Sequence, residues 1–231
     1  MADEQPRSRW RRVTGSGWFQ IALAFVLTSL VLSFVAKPFW VPSGSMEETL
    51  QPGDRVLVNR LAYLGAGPTT GDIIVFDAGP AWGLPSSAGE NPLKAAARWV
   101  GEVTGFGPSS PHTLIKRVIG APGQTVACCS ADGRVIVDGE PLDEPYVTKN
   151  LDFEPGVLDC DTTPRSTRCF DEVTVPDASY LMLGDNRANS ADSAYFCRGA
   201  TTPGCWRWAT RDSIIGKAAL LFWPIPRWQL L

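Results

Sequence analysis

From Val13 to Ala36 the chain carries no charged residue, and Trp18 to Ala36 is almost wholly apolar. As a helix rising about 1.5 Å per residue, those nineteen residues extend roughly 28 Å, close to the hydrocarbon thickness of a bilayer. Arg7, Arg9, Arg11 and Arg12 precede the run and a single Lys37 follows it. That asymmetry predicts a single-pass protein of the cell membrane with a cytoplasmic N-terminus (1–17), a transmembrane helix (18–36) and an extracytoplasmic body (37–231). A cleavable secretory leader is the competing reading, and Val31-Leu32-Ser33 offers a small-residue site for it. The run continues past that point and exceeds the ~7–15 residues of such a segment, which favours a retained span. Phe39 and Trp40 then read as its interfacial anchor.

The remainder of the 231 residues suffices for one domain of ordinary size or two small ones. Gly and Pro are frequent (22 and 19) and long helix-period patterns are few, so the body is predicted to be mainly β. Strand patterns follow turn signals at Gly53-Asp54, Gly71-Asp72 and Asp132-Gly133, and others lie at Thr113–Gly120, Tyr180–Leu183 and Ile214–Phe222. Residues 78–112 interrupt them as an insertion with one short helix, Pro92 to about Thr104, where Trp99 and Phe106 either touch the membrane or pack on the sheet. No repeat of fixed period and no domain linker is visible.

The formal net charge of −3, without a Lys/Arg block in the body, gives no basis for a nucleic-acid partner. Six cysteines all follow the apolar run, and with one histidine in the chain they lack zinc-site spacing. Disulfides in an oxidising compartment suit them better, with Cys160–Cys169 and Cys197–Cys205 as the short-loop pairs. Buried free thiols are the alternative, and the adjacent Cys128 and Cys129 stay unassigned.

A Ser-His-Asp triad needs a histidine, and His112, beside Pro111 at the edge of the insertion, reads as a surface-loop residue. No phosphate-binding glycine loop is present. What remains is a hydroxyl nucleophile with a lysine base. Ser45, in Pro42-Ser43-Gly44-Ser45-Met46, lies only nine residues beyond Ala36, about 30 Å at full extension, so it is tethered near the membrane. Lys116 lies within the strand Leu114–Ile119, where burial would lower its pKa towards neutrality and make it a usable base. On the residues alone both alternatives stand: Ser45 as a turn residue, Lys116 as a solvated strand lysine.

The chain resembles the bacterial type I signal peptidases, membrane-anchored serine proteases with a Ser/Lys dyad. The resemblance is carried, in order, by Pro42-Ser43-Gly44-Ser45-Met46 with Thr49-Leu50 and Gly53-Asp54, then Gly71-Asp72-Ile73-Ile74-Val75-Phe76. Ile115-Lys116-Arg117-Val118-Ile119-Gly120 with Pro122-Gly123 follows, then Gly184-Asp185-Asn186-Arg187 through Asn189-Ser190-Ala191-Asp192-Ser193, and lastly Gly216-Lys217-Ala218. It implies a coiled antiparallel β-sheet body and an enzyme that cuts preproteins after small residues through an acyl-enzyme. Ser45 would be the nucleophile and Lys116 the general base. Ser43 and the Ser45 N–H would form the oxyanion hole. Ser190 would hold the lysine amine, and Asp192 would order that region. Val41, Pro42, Met46, Leu50 and Ile115 would line shallow substrate pockets, with Asp72–Phe76 and Thr113–Ile115 as rails for an added substrate strand.

The resemblance implies no cofactor and no metal. The expected partners are signal peptides of secreted preproteins and the lipid bilayer, and a monomer is expected. Ala194 stands where many members carry an arginine paired with the aspartate, which puts that salt bridge in doubt, and Ala188 where an acidic residue is common. Two other classes remain: a Ser/Lys peptidase with a dedicated surface or pilus substrate, and a membrane-anchored β-rich binding module without catalysis.

Overall fold

The computed structural model describes residues 16–79, 82–83, 112–199 and 204–231. The helix expected between Pro92 and Thr104, with Trp99 and Phe106, and the N-terminal arginines lie outside the described residues.

Helix α1 runs from Gly17 to Phe34, 18 residues without a charge. Its apolar side chains point outward on all sides: Trp18, Ile21, Phe25, Leu27 and Phe34 are each more than half exposed. Among the described residues no helix is long and apolar enough to cross a membrane. The helix stops two residues before the Ala36 boundary read from the sequence because Ala36–Trp40 is strand β1. Its register on strand β2 (Arg55–Asn59) pairs Phe39 with Val56 and Trp40 with Arg55. Phe39 is therefore a core residue, 5% exposed, and not the interfacial anchor expected of it. An apolar ring at an inward strand position gains more by joining the core than by remaining wet.

Every strand pair among the described residues of the body is antiparallel. Strands β3 (Ile73–Asp77), β4 (Thr113–Gly120), β9 (Ser179–Leu183), β10 (Ala209–Thr210) and β11 (Ile214–Trp223) join β1 and β2 in the order β1-β2-β11-β3-β4-β9-β10, with β12 (Gln229–Leu230) added to β11. The long β11 pairs with β3 through its first half and with β2 through its second, and register shifts mark the bend. A smaller sheet runs β7-β6-β5-β8, from β7 (Glu140–Pro141), β6 (Val135–Val137), β5 (Thr125–Cys128) and β8 (Phe170–Thr174).

Three apolar clusters hold these layers together. Strand β3 reads Ile-Ile-Val-Phe without alternation because both of its faces are covered. Ile73 and Val75 join Phe39, Val41, Met46, Leu50 and Ile115, while Ile74 and Phe76 join Trp82, Val118 and Met182. Between the sheets, Ile119, Val126, Phe170 and Leu183 form the third cluster. Disulfides join Cys160 to Cys169 and Cys197 to Cys205, as the short loops suggested, and Cys128 to its neighbour Cys129. No cysteine among the described residues is free, so the buried-thiol alternative is set aside.

Candidate active site

Two distant segments meet beside β4. After Val41, whose N–H and carbonyl are hydrogen-bonded to Asp54 and Gly53, the chain enters a 3-10 turn over Gly44–Met46. Met46 and Leu50 turn into the first core cluster and pin the turn from below. Ser45 is thereby held at the surface of the core, 8% exposed. Lys116, 3% exposed in the middle of β4, brings Nζ to 2.6 Å from Ser45 Oγ and donates to the Ile115 carbonyl at 3.1 Å. Burial pushes the Lys116 amine down to about 8, against the opposing pull of the Asp192 and Asp185 carboxylates.

The loop after β9 fastens these segments. The Asn186 N–H donates to the Ser45 carbonyl at 3.1 Å, and its side-chain amide donates to Gly44 O and Glu47 Oε2. Asp185 accepts two hydrogen bonds from Arg117, at 2.9 and 2.7 Å, and one from Thr49 Oγ1 at 2.6 Å. One carboxylate thus ties the residue after Lys116 to the residue four after Ser45. Gly184 has to be glycine here, since a Cβ on it would lie 2.5 Å from Ser45 O and 2.3 Å from Ser190 Oγ. Behind it, Arg187 forms a buried ion pair with Glu144 and donates to the Gly184 carbonyl at 3.0 Å.

The other residues singled out in the sequence fall as follows. Ser43 is extended and exposed, two positions before Ser45. Ser190 is buried beside Gly184, but its hydroxyl has no hydrogen-bond partner, and the amine it was expected to hold bonds to Ile115 O instead. Asp192 is fully buried, accepts from the Gly184 and Ala194 N–H groups, and pairs with Arg198 at 3.0 Å. The salt bridge that Ala194 put in doubt is therefore present, with its arginine drawn from four positions further on. Val41, Met46, Leu50 and Ile115 are core residues packed beneath the turn that carries Ser45, and Pro42 is exposed.

Of the two expected rails, Asp72–Phe76 is corrected: β3 is hydrogen-bonded on both sides, to β4 and β11. Strand β4 differs, because β9 pairs only with Arg117–Gly120 and leaves Thr113–Lys116 without a strand on that side among the described residues. His112 sits four residues before Lys116, about 13 Å along an extended strand, with Nε2 buried and unpartnered. An open groove of about 760 Å³ lies behind Ser190, along Arg187–Ala191, Tyr195 and Phe196, and neither Ser45 nor Lys116 lines it. Among the described residues the grouped sulfurs of Cys129, Cys160 and Cys169 lie within 4.8 Å of one another, but as disulfide sulfurs they offer no thiolate to a metal.

Of the residues singled out in the sequence, the structure brings Ser45 and Lys116 into contact; the contacts of Asp185, Asn186, Glu144 and Arg198 were not anticipated. The Gly184-Asp185-Asn186-Arg187 string was a visible signal for the first two. Arg198 had none.

A family model described as "Signal peptidase, peptidase S26" matches residues 15–223. A Signal peptidase I of Mycobacterium tuberculosis (strain ATCC 25618 / H37Rv) is 38% identical over 243 residues, covering 99% of this chain and 79% of the relative. A Signal peptidase I of Leptolyngbya laminosa is 35% identical over 207 residues, covering 90% and 78%. A solved signal peptidase I from Enterococcus faecalis V583 covers 65% of this chain and 95% of its own at 24% identity, with a TM-score of 0.36, too low to carry weight.

Proposed function

Since the chain belongs to the signal peptidase, peptidase S26 family, we propose that it is a serine endopeptidase that removes signal peptides from exported preproteins, with Ser45 as nucleophile and Lys116 as general base. The observation that carries this reading is the buried 2.6 Å contact between Lys116 Nζ and Ser45 Oγ. A binding module has no use for an amine stripped of water beside a lone hydroxyl, whereas acyl transfer needs that arrangement.

In the neutral form, Lys116 takes the Ser45 proton as Oγ attacks the scissile carbonyl carbon. The developing oxyanion faces the Ser45 N–H and the Ser43 hydroxyl, donors that act on charge present only in the transition state. Collapse breaks the C–N bond, and the Lys116 ammonium returns the proton to the departing amine of the mature chain. Water then releases the acyl-enzyme by the same exchange. The open side of Thr113–Lys116 suits an extended substrate added as a strand, which would end at the dyad. The packed floor of Val41, Met46, Leu50 and Ile115 suits a cut after small side chains.

We read α1 as the described part of a membrane anchor. Its 18 residues rise about 27 Å and expose apolar side chains all round among the described residues. With arginines before it, the catalytic body lies outside the cytoplasm, at the surface where preproteins emerge.

The pH profile tests the base. Activity needs the neutral amine, so kcat/KM on a signal-peptide substrate should rise with pH along an acid limb with an apparent pKa near 8, about tenfold per unit below it. A profile flat down to acidic pH contradicts this reading.

A further inference from the structure

We propose that Cys128–Cys129 and Cys160–Cys169 form one thiol–disulfide exchange site, which a dithiol opens at Cys129 and which re-forms as a cross-strand bond between Cys129 and Cys169. The inference is independent of the Ser45/Lys116 reading.

Four of the six cysteines converge at one end of the smaller sheet. Strand β5 ends at Cys128, and β8 begins at Phe170, one residue after Cys169. Cys128 is the register partner of Phe170 in that antiparallel pair. Continued by one residue, the register sets Cys129 opposite Cys169. Directly opposed residues of antiparallel strands have Cα atoms about 4.5–5.5 Å apart, inside the range that a disulfide spans. The side chains agree with the backbone. The sulfurs of Cys129, Cys160 and Cys169 all lie within 4.8 Å of one another, although Cys129 is bonded to neither of the other two. Cys160 Sγ also lies 3.5 Å from the Cys128 carbonyl oxygen.

Access sets the order of events. Cys128 and Cys169 are buried, at 3% and 0% exposure, while Cys129 and Cys160 are half-buried. A bond between chain neighbours closes almost no loop, so its opening costs the fold little. One thiolate of the dithiol attacks Cys129 Sγ, the Cys128–Cys129 bond breaks, and Cys128 leaves as a thiolate and takes a proton. The second thiolate of the dithiol displaces Cys129. The dithiol ends as its own disulfide, two electrons poorer, and Cys128 and Cys129 end as thiols. The Cys129 thiolate then attacks Cys169 Sγ in the neighbouring bond. Cys129–Cys169 forms, Cys160–Cys169 breaks, and Cys160 leaves as a thiolate and takes a proton. This last step transfers no net electrons. It replaces a bond closing nine positions with one closing 40, which restrains the unfolded chain more.

The stretch so enclosed reaches the candidate active site. It includes Glu144, paired with Arg187, and Lys149, paired with Glu47 two positions after Ser45. A Cys129–Cys169 bond would close that stretch into one loop at its base.

The test treats the purified full chain in detergent with sub-stoichiometric to equimolar dithiothreitol, quenches with N-ethylmaleimide, and maps the bonds by peptide mass spectrometry. The expected map has a linked Cys129–Cys169 peptide pair, equal labelling of Cys128 and Cys160, and Cys197–Cys205 intact. Cys128→Ser, quenched without reductant, leaves three clustered sulfurs to share one bond. Its free thiol should label Cys160 at least as heavily as Cys129. Three wild-type maps overturn the proposal: label confined to Cys128 and Cys129, label confined to Cys160 and Cys169, or Cys129–Cys160 as the only new bond. A link to Cys197 or Cys205 overturns it too, since that reports scrambling through unfolding. In Cys128→Ser, label on Cys129 alone has the same force. If that variant does not fold, the wild-type map decides by itself.

Discussion

Replacing Lys116 with methionine should abolish cleavage and at the same time stabilise the fold. The amine is the only base within reach of Ser45 Oγ among the described residues, so kcat/KM on a signal-peptide substrate should fall about 10³-fold or more. Stability moves the other way for a reason that can be signed. Lys116 has its pKa lowered from 10.5 to about 8, so the unfolded chain binds its proton more tightly than the folded one. Below about pH 8 that difference costs the fold about 3 kcal/mol, and the cost disappears as pH rises towards 10.5. Methionine removes the burdened group while filling its volume. Urea titration should therefore show Lys116→Met more stable than wild type near pH 7 by up to about 3 kcal/mol, with the gain shrinking between pH 8 and 10.5. Equal or lower stability at every pH would mean that burial does not act on this lysine as described.

Asp185→Ala should be the most destabilising substitution at the site. The carboxylate is fully buried and accepts from Arg117 twice and from Thr49 once. Its loss leaves the Arg117 guanidinium, 11% exposed, with the Gly71 carbonyl, the Tyr146 ring 3.8 Å away and the more distant charge of Glu144, but without the carboxylate it is bonded to. Breaking a buried pair in this way costs about 3–5 kcal/mol, readable as a drop in the urea midpoint. Because Asp185 joins the two strands of chain that carry Ser45 and Lys116, kcat should fall even where the variant is fully folded. Unchanged stability would show that Arg117 and Thr49 find other partners.

The parts of the fold that were legible are those written in local pattern. The uncharged run of α1, the two-faced apolar strand Ile73–Phe76 and the short disulfide loops each announce themselves over a few residues. Ser45 and Lys116 were singled out through the family resemblance, since on the residues alone each reads more plainly as a turn or a solvated strand residue. What could not be read depends on which strands become neighbours. Phe39 looked like a membrane anchor because nothing local reveals that β1 pairs with β2 and turns it inward. Asp72–Phe76 looked like an open rail because β11, more than 130 residues later, covers its free side. Thr49 and Asp185 meet across 136 positions. Arg198 reaches Asp192 across an irregular run of turns leading into the Cys197–Cys205 loop, where neither a period of 3.6 nor one of 2 applies.

The central claim is that Ser45 makes and breaks the acyl bond at the membrane surface. The most direct measurement incubates the purified full chain, wild type or Ser45→Ala, with a preprotein and maps the N-terminus of the product by mass spectrometry. Wild type should yield one cut after a small residue at the end of the signal peptide. Ser45→Ala, folded to the same melting temperature, should yield none. Cleavage by Ser45→Ala at the wild-type rate, or wild-type cuts scattered away from that junction, would contradict the account.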